Sequence, residues 1–293
     1  MKAEQTVRLW VEGARPKTIP AAIVPVLVGT AASAGSGFIL YRFLLALLVS
    51  IALQVGVNYA NDYSDGIRGT DEDRIGPRRL VASKLIPVWK VKWASFAFFF
   101  IAAIAGLILA LVINLWILAI GLVAIIAAWF YTGGSSPYGY LGFGEVSVFV
   151  FFGLVATVGS AFVQSEKVEL LSILCGIGVG SLATALLVVN NLRDIGTDRE
   201  AGKKTLAVRI GEQKTRLLYV FLMIGTVGVY ALIGVIYCYP ALISLIVSPI
   251  AFKLAYQIYA KAEGLNLIKV LEMTAKFHLV SGLLFALGLM VGI

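Results

Sequence analysis

The sequence predicts an all-α, polytopic membrane bundle, and its hydropathy, its long apolar runs and the placement of its charges indicate this fold class. Of the 293 residues, 60% are hydrophobic and only 14% are charged, and the mean hydropathy is +0.93. Water-soluble domains have about 25% charged residues and far fewer apolar ones. The bulk of this chain is therefore expected to lie in lipid.

Apolar runs long enough to cross a bilayer follow one another along the whole chain. A helix needs about 20 apolar residues to span the hydrocarbon core, which predicts about nine transmembrane helices in one membrane domain covering residues 1–293. Residues before the first run, among them Trp10, are typical of an interfacial amphipathic segment rather than of a cleaved signal peptide. The runs lie near 18–34, 42–60, 93–111, 113–131, 146–163, 170–191, 217–236, 238–258 and 275–293.

Charge placement predicts the orientation of the bundle. Lys and Arg cluster before the first run and after the second, sixth and eighth runs, whereas the segments after the third and seventh runs carry no charge. By the positive-inside rule, the N-terminus is cytoplasmic and the C-terminus is outside. The formal charge of +8 does not indicate nucleic-acid binding, because the basic residues flank spans and are mixed with acids.

Cysteine and histidine offer no site of their own. Cys175 and Cys238 lie inside apolar runs without a CxxC or Cys/His pattern, which argues against a disulfide or a zinc site. His278, the single histidine, starts the last run and is expected to pack there. A metal site would have to use oxygen ligands.

Two polar clusters end the second and sixth apolar runs. Asn58 and Asp62 in the first recur at the same spacing as Asn190 and Asp194 in the second. We interpret this as a sign of two related four-helix halves followed by a ninth helix. Within each cluster the spacing of three or four residues places the carboxylates on one helix face, as it does for Asp62 with Asp65 and for Asp194 with Asp198.

These carboxylates predict magnesium-diphosphate chemistry. Polar stripes at membrane helix ends are costly to bury unless they face a cavity or the bundle interior. Hard oxygen ligands in two groups suit Mg²⁺, which is held by a few carboxylates together with substrate phosphate oxygens. The simpler alternative, acids solvated at the membrane boundary and paired with nearby cations, is preferred for four neighbours, which are Glu72, Asp73, Arg199 and Glu200.

The two clusters resemble the paired aspartate motifs of the UbiA-type intramembrane prenyltransferase superfamily. The stretches that carry the resemblance are Asn-Asp-x-x-Asp at 61–65 and Asp-x-x-x-Asp at 194–198. The resemblance implies helices around a central cavity, with the motifs binding Mg²⁺ and the diphosphate of a polyprenyl substrate. The implied catalytic residues are Asp62, Asp65, Asp194 and Asp198, which with Asp71 are the implied metal ligands. The implied diphosphate-binding residues are Asn58, Asn61, Arg68, Arg74, Asn190, Lys203 and Lys204.

Details of the first motif and of three flanking stretches resemble one branch of that superfamily, the 1,4-dihydroxy-2-naphthoate polyprenyltransferases of menaquinone biosynthesis. Gly69 stands where many members have a further Asp, and Asp71 follows two residues later. The flanking stretches are 10–25, 131–145 and 202–211. This branch implies that the prenyl chain replaces the acceptor's carboxyl group, which leaves as carbon dioxide. The product is demethylmenaquinone. The implied acceptor-binding residues are Arg15, Lys17, Tyr131 and Tyr138.

Other functions fit the sequence less well. The motifs alone also suit prenyltransferases that act on 4-hydroxybenzoate or homogentisate. An ion-coupled secondary transporter would have intramembrane carboxylates, but transporter sites usually lie near the bilayer midplane. CDP-alcohol phosphotransferases need Ala-Arg where this chain has Gly69 and Thr70. The Gly-rich stretch 131–140 is either a flexible connection or a mobile cap over the cavity.

Overall fold

The computed structural model describes residues 3–69 and 79–293, and all regular structure in these ranges is helical. The predicted all-α class is therefore confirmed. The α-helices are α1 (Ala3–Ala14), α2 (Ile19–Ala32), α3 (Leu40–Ile67), α4 (Val88–Val112), α5 (Trp116–Phe130), α6 (Gly144–Val148), α7 (Gly159–Ser165), α8 (Leu170–Arg193), α9 (Ile195–Glu200), α10 (Leu206–Ile210), α11 (Glu212–Ile236), α12 (Ser248–Tyr259) and α13 (Leu265–Gly292).

Two long spans are not uniform α-helices. A π-helix at Phe149–Val158 joins α6 to α7, and a 3₁₀ helix at Tyr239–Val247 leads into α12. Shorter 3₁₀ turns occupy Pro16–Thr18, Ala34–Ser36 and Tyr138–Leu141.

Seven helical segments of the described chain are long and apolar enough to cross a membrane. They are α3, α4, Gly144–Ser165, α8, α11, Tyr239–Tyr259 and α13. The apolar runs at 18–34 and 113–131 fold as α2 and α5, with 14 and 15 residues, which is shorter than the roughly 20 residues of a simple span. The chain is an integral membrane protein, and the count of nine spans stays a prediction.

Helix α8 lies at the centre of the bundle. In its most apolar window 72% of the residues are buried, compared with 33% in α3 and in α4. It packs against α2, α11, α13 and the π-helix. Glycines permit the closest of these contacts, because a Cβ on Gly153 would lie 2.6 Å from the carbonyl oxygen of Gly176 and 2.7 Å from Cα of Gly180. Close backbone approach through small residues is how helices pack in lipid.

Buried apolar side chains fix the remaining helices around α8. Tyr219 and Met223 of α11 pack with α8, α12 and α13. Tyr230 of α11 stacks on Phe285 of α13, with ring centroids 3.9 Å apart. A third cluster around Tyr59 and Leu80 attaches α1 and the segment before α4 to α3. This third cluster holds the chain on either side of the first polar motif.

Candidate active site

A cavity of about 2570 Å³ lies between the helices. Most of its lining is apolar, with Leu53, Ile117 and Phe151 as examples, and one part is polar. Its volume is above the roughly 300–1,000 Å³ of an ordinary small-ligand pocket, so it has room for a long hydrocarbon chain. The polar residues that line it include Arg15, Lys17, Gln54, Asn58, Asn61, Asn190 and Arg193.

The asparagines of the first motif connect α3 to neighbouring segments. The side-chain amide of Asn58 donates to the carbonyl of Ala14 at 2.8 Å and to Oγ1 of Thr18 at 2.9 Å. Asn61 accepts a hydrogen bond from Oγ1 of Thr132 at 2.7 Å. Both asparagines line the cavity, so these bonds fix their orientation towards it.

Asp62 is fully buried and holds the segment that precedes α4. Its two carboxylate oxygens accept the backbone N–H groups of Leu80, at 2.9 Å, and of Val81, at 3.0 Å. Asp62 is not among the residues that line the cavity. In this conformation its carboxylate anchors backbone next to the first motif.

Asp65 and Asp198, from the two motifs, converge on one cation. Nζ of Lys203 lies 3.7 Å from Oδ1 of Asp65 and 3.9 Å from Oδ1 of Asp198. Nζ also lies over the Tyr140 ring, 4.7 Å from its centroid, and the Tyr140 hydroxyl donates to Asp65. The side chains of Asp65, Asp198 and Lys203 are 9%, 13% and 11% exposed. The structure therefore joins the motifs at a nearly buried point of high charge density.

Asp194 faces a different cation, its neighbour Arg193. The guanidinium donates to both carboxylate oxygens at 2.6 Å, and Nη2 also donates to Oδ1 of Asn190 at 3.0 Å. Both side chains are 10% exposed. Arg193 lines the cavity, so this pair and Asn190 form a charged group at the polar part of the cavity.

Two other predicted diphosphate-binding residues, Arg68 and Lys204, contact the 131–143 connection. Arg68 donates to the carbonyls of Thr132, at 2.5 Å, and Gly134, and its guanidinium lies 5.5 Å from the centroid of the Tyr140 ring. The backbone N–H of Lys204 donates to the carbonyl of Tyr140 at 2.8 Å. These contacts attach the 131–143 connection to both motifs. Asp71 and Arg74 lie outside the described residues.

The predicted acceptor-binding residues all line the cavity. Arg15 adopts a left-handed backbone conformation with φ 53°, which turns the chain from α1 into α2, and its Nη2 donates to the carbonyl of Asn58 at 3.4 Å. Lys17 pairs with Glu272 of α13 at 2.7 Å. Tyr131 and Tyr138 meet edge to face with centroids 5.5 Å apart.

Both tyrosines are shielded from water. Burial raises the pKa of Tyr131, and the negative charge of Glu145 raises it further, ahead of smaller effects from Tyr138, Asp65 and Asp198. Burial also raises the pKa of Tyr138, although a hydrogen bond with Ser147 opposes the shift. The two hydroxyls are therefore neutral at physiological pH.

Glu145, in the first turn of α6, is a functional candidate that the sequence motifs do not single out. It is 5% exposed, and its Oε1 accepts the side-chain amide of Asn191 at 2.9 Å. The signal available in the sequence is a lone acid directly before the apolar run 146–163, because an acid at that position is costly in a membrane protein.

The donor set fits a divalent cation. Among the described residues no group of three or more His, Cys, Asp or Glu side chains surrounds one point. Asp65 and Asp198 nevertheless direct one oxygen each at the same ammonium group, so this point already stabilises positive charge. Carboxylate oxygens are the protein ligands that Mg²⁺ prefers, with water or phosphate oxygens completing its shell. These two residues are the best-placed ligands for such an ion.

Known proteins match this chain over nearly its whole length. Residues 22–290 match the model of the UbiA prenyltransferase family. A relative from Mycobacterium tuberculosis, named 1,4-dihydroxy-2-naphthoate octaprenyltransferase, is 46% identical over 284 residues, 97% of each chain. A relative of the same name from Escherichia coli is 38% identical and covers 96% of this chain and 94% of its own.

A solved structure shares the fold. The structure of a UbiA homolog from Archaeoglobus fulgidus bound to GPP and Mg²⁺ has a TM-score of 0.66 at 16% identity, and the match covers 94% of this chain and 99% of that one. The resemblance inferred from the aspartate motifs and the flanking stretches is confirmed, and the chain belongs to the UbiA prenyltransferase family.

Proposed function

We propose that this chain transfers a polyprenyl group from polyprenyl diphosphate to 1,4-dihydroxy-2-naphthoate, with loss of carbon dioxide, to give demethylmenaquinone in its reduced, quinol form. The observation that carries the proposal is a large apolar cavity whose polar part is lined by asparagines from both motifs, Asn58, Asn61 and Asn190. Relatives at 46% and 38% identity bear the corresponding name, which supports the choice of acceptor.

The motif residues bind the diphosphate. Asp65 and Asp198 would hold Mg²⁺, which would supply Lewis-acid stabilisation of the diphosphate leaving group. Arg193, which lines the cavity, and Lys203, which faces Asp65 and Asp198, neutralise charge on the phosphate oxygens. Asn61 and Asn190 donate hydrogen bonds from the cavity wall, whereas both side-chain N–H groups of Asn58 are already donated to Ala14 and Thr18. Further predicted contributors are Asp62, Asp194, Asp71, Arg68, Arg74 and Lys204.

The apolar part of the cavity holds the prenyl chain and excludes water. As the bond to diphosphate breaks, positive charge develops on the allylic carbon, and water would capture it. Apolar side chains along the cavity keep water away. Aromatic faces near the polar part, such as Tyr131, stabilise the developing charge.

The acceptor binds between the prenyl chain and the N-terminal turn. Arg15 and Lys17 line this region, and a cationic side chain there pairs with the acceptor's carboxylate. Tyr131 and Tyr138 pack against the aromatic rings. This arrangement presents the electron-rich, carboxylate-bearing carbon to the allylic centre, so that carbon dioxide is lost after attack.

The proposal includes a location and an orientation. The chain is a single domain with nine spans in a bacterial cell membrane. Its N-terminus and active site face the cytoplasm, and its C-terminus faces outside, as the distribution of Lys and Arg predicts. Polyprenyl diphosphate, the naphthoate acceptor and the bilayer are its partners.

Carboxyl-labelled acceptors test the proposal directly. Purified protein is given a long-chain polyprenyl diphosphate, Mg²⁺ and one acceptor at a time, and prenylated product and released label are both measured. We expect turnover with the naphthoate and release of one carbon dioxide for each prenyl group transferred. In excess chelator we expect no turnover. Asp198→Asn should reduce kcat by at least about 10²-fold, as expected for removal of a charge that stabilises the transition state, whereas Glu200→Gln, at an exposed position of α9, should not.

Other outcomes assign the chain differently. Turnover confined to 4-hydroxybenzoate or homogentisate would reject the naphthoate assignment while keeping prenyl transfer. Product that retains its label would reject decarboxylation. Cation-dependent flux in proteoliposomes without any covalent product would favour the transporter alternative.

A further inference from the structure

Glu145 carries a buried carboxylate oxygen that the fold leaves without a hydrogen bond. Oε1 accepts the amide of Asn191 at 2.9 Å, but Oε2 is buried and has no partner among the described residues. Leaving such an oxygen unpaired destabilises the folded chain, more so when the oxygen is charged. A group kept at this cost next to a binding cavity is a candidate for chemistry.

Asn191 orients this carboxylate from the second motif. Asn190 lines the cavity, and Asn191, the next residue of α8, is turned about 100° around the helix axis towards α6. Its amide therefore holds Oε1 of Glu145 and leaves Oε2 as the oxygen able to accept a proton.

Tyr131 connects this region to the cavity. Its side chain lines the cavity, and its hydroxyl reaches the start of α6, because a Cβ added to Gly144 would lie 3.0 Å from that oxygen. Gly144 directly precedes Glu145, and its lack of a side chain leaves room for the hydroxyl. Glu145 also has the strongest effect of any charged residue on Tyr131.

We propose that Tyr131 and Glu145 form a proton relay, in which Tyr131 takes the proton of the acceptor hydroxyl next to the attacked carbon and passes its own proton to Oε2 of Glu145. The two groups are not hydrogen-bonded in this structure, so the relay requires acceptor binding to bring them into contact. This inference rests on the proposed prenyl transfer. Tyr131 is the catalytic residue of the pair, since it faces the cavity, and Glu145 acts through it. Because Tyr131 strongly resists ionisation, the two transfers occur together. Its hydroxyl proton moves to Glu145 as the proton of the acceptor hydroxyl arrives.

The relay balances the reaction. The carbon–oxygen bond to diphosphate breaks and its electron pair leaves with diphosphate. A ring π pair forms the new carbon–carbon bond, the hydroxyl becomes a ketone, and its proton moves through Tyr131 to Glu145. The bond to carbon dioxide then breaks, its electron pair restores the aromatic ring, and the proton returns to the ketone oxygen. Glu145 ends the cycle in the protonation state in which it began.

Glu145→Gln separates this role from packing, because glutamine keeps an oxygen for Asn191 but cannot store the proton. We expect kcat to fall by at least about 10²-fold, in the range of general-base catalysis. The KM values of both substrates and the melting temperature should change little, and Glu145→Asp should recover part of kcat. Glu169→Gln, the same change at the exposed start of α8, is the matched control.

Two results would overturn the relay. One is a Glu145→Gln variant with kcat within about threefold of the parent, and the other is a Tyr131→Phe variant that keeps full kcat. Should Glu145→Gln fail to fold, Tyr131→Phe decides alone, since it removes only the hydroxyl. If the parent protein prenylates 4-hydroxybenzoate instead of the naphthoate, the acceptor assignment fails. The same variants then judge the relay with that substrate, whose prenylation also requires removal of a proton.

Discussion

At the scale of single residues, Asp62 and Asp65 make different contacts although they are only three positions apart on one helix. Asp62 accepts two backbone N–H groups, whereas Asp65 faces Lys203 and Tyr140. Asp62→Ala would leave both N–H groups unpaired, at about 1–3 kcal/mol each. We expect a lower melting temperature, measured by thermal unfolding in detergent, and a smaller decrease for Asp62→Asn, which keeps one acceptor oxygen. An unchanged melting temperature in Asp62→Ala would contradict the anchoring role.

Lys203 occupies the point at which a metal ion would meet Asp65 and Asp198. Removing its charge by Lys203→Met leaves two facing carboxylates, and breaking a buried group of charges costs up to about 3–5 kcal/mol. In chelator, the variant should melt at a lower temperature than the parent. Added Mg²⁺ should raise that temperature more in the variant, because the ion displaces no ammonium group and stabilises by binding the folded state.

Lys204→Met is the matched control, since the neighbouring side chain is exposed. Its response to Mg²⁺ should equal that of the parent. Equal Mg²⁺-induced shifts in Lys203→Met and the parent would show that Lys203 does not occupy the ion's position.

At the scale of helices, the contact between the π-helix and α8 depends on glycine. In Gly153→Ala the new methyl group would lie 2.6 Å from the carbonyl oxygen of Gly176. Overpacking of this kind costs about 1–3 kcal/mol, so the variant should melt at a lower temperature. Gly228→Ala in α11, where the added Cβ meets nothing within 4 Å, should be neutral or stabilising. Equal melting temperatures for the two variants would argue against this contact.

Hydropathy predicts where helices form but not how they are wound. The run at 146–163 correctly predicts a helical span, yet its middle is a π-helix. Likewise, the run at 238–258 begins as a 3₁₀ helix. These irregularities depend on neighbours, such as the backbone of α8 beside Gly153, that are distant in sequence. Local composition carries no information about them.

The same limit applies to the site. Motif spacing predicts that the two aspartate motifs serve one site, and in the structure Asp65 and Asp198 meet at Lys203. The contact of Tyr140 with Asp65 and that of Asn191 with Glu145 cross 75 and 46 positions of the chain. Only the packed bundle brings such residues together, which is why the motifs do not identify Glu145.

At the scale of the whole molecule, cysteine labelling tests the orientation. Lys167 and Glu200 are exposed and lie at opposite ends of α8, just outside its limits. In vesicles with the outer face outward, an impermeant maleimide should label Lys167→Cys at once and Glu200→Cys only after permeabilisation. The parent protein should stay unlabelled, because Cys175 and Cys238 are buried. The reverse pattern would place the polar clusters outside the cell.

The uneven polarity of the cavity also determines how a catalytic cycle ends. In the proposed reaction both substrates arrive with a negative charge, and the cationic residues of the polar region retain them through it. Diphosphate leaves with that negative charge, and carbon dioxide leaves with the carboxyl carbon. The remaining quinol is neutral. Each methylene of its chain favours lipid by about 0.8 kcal/mol, so the product partitions into the bilayer. Dilution in the membrane then makes turnover effectively one-way, and a shortage of surrounding lipid should cause product inhibition.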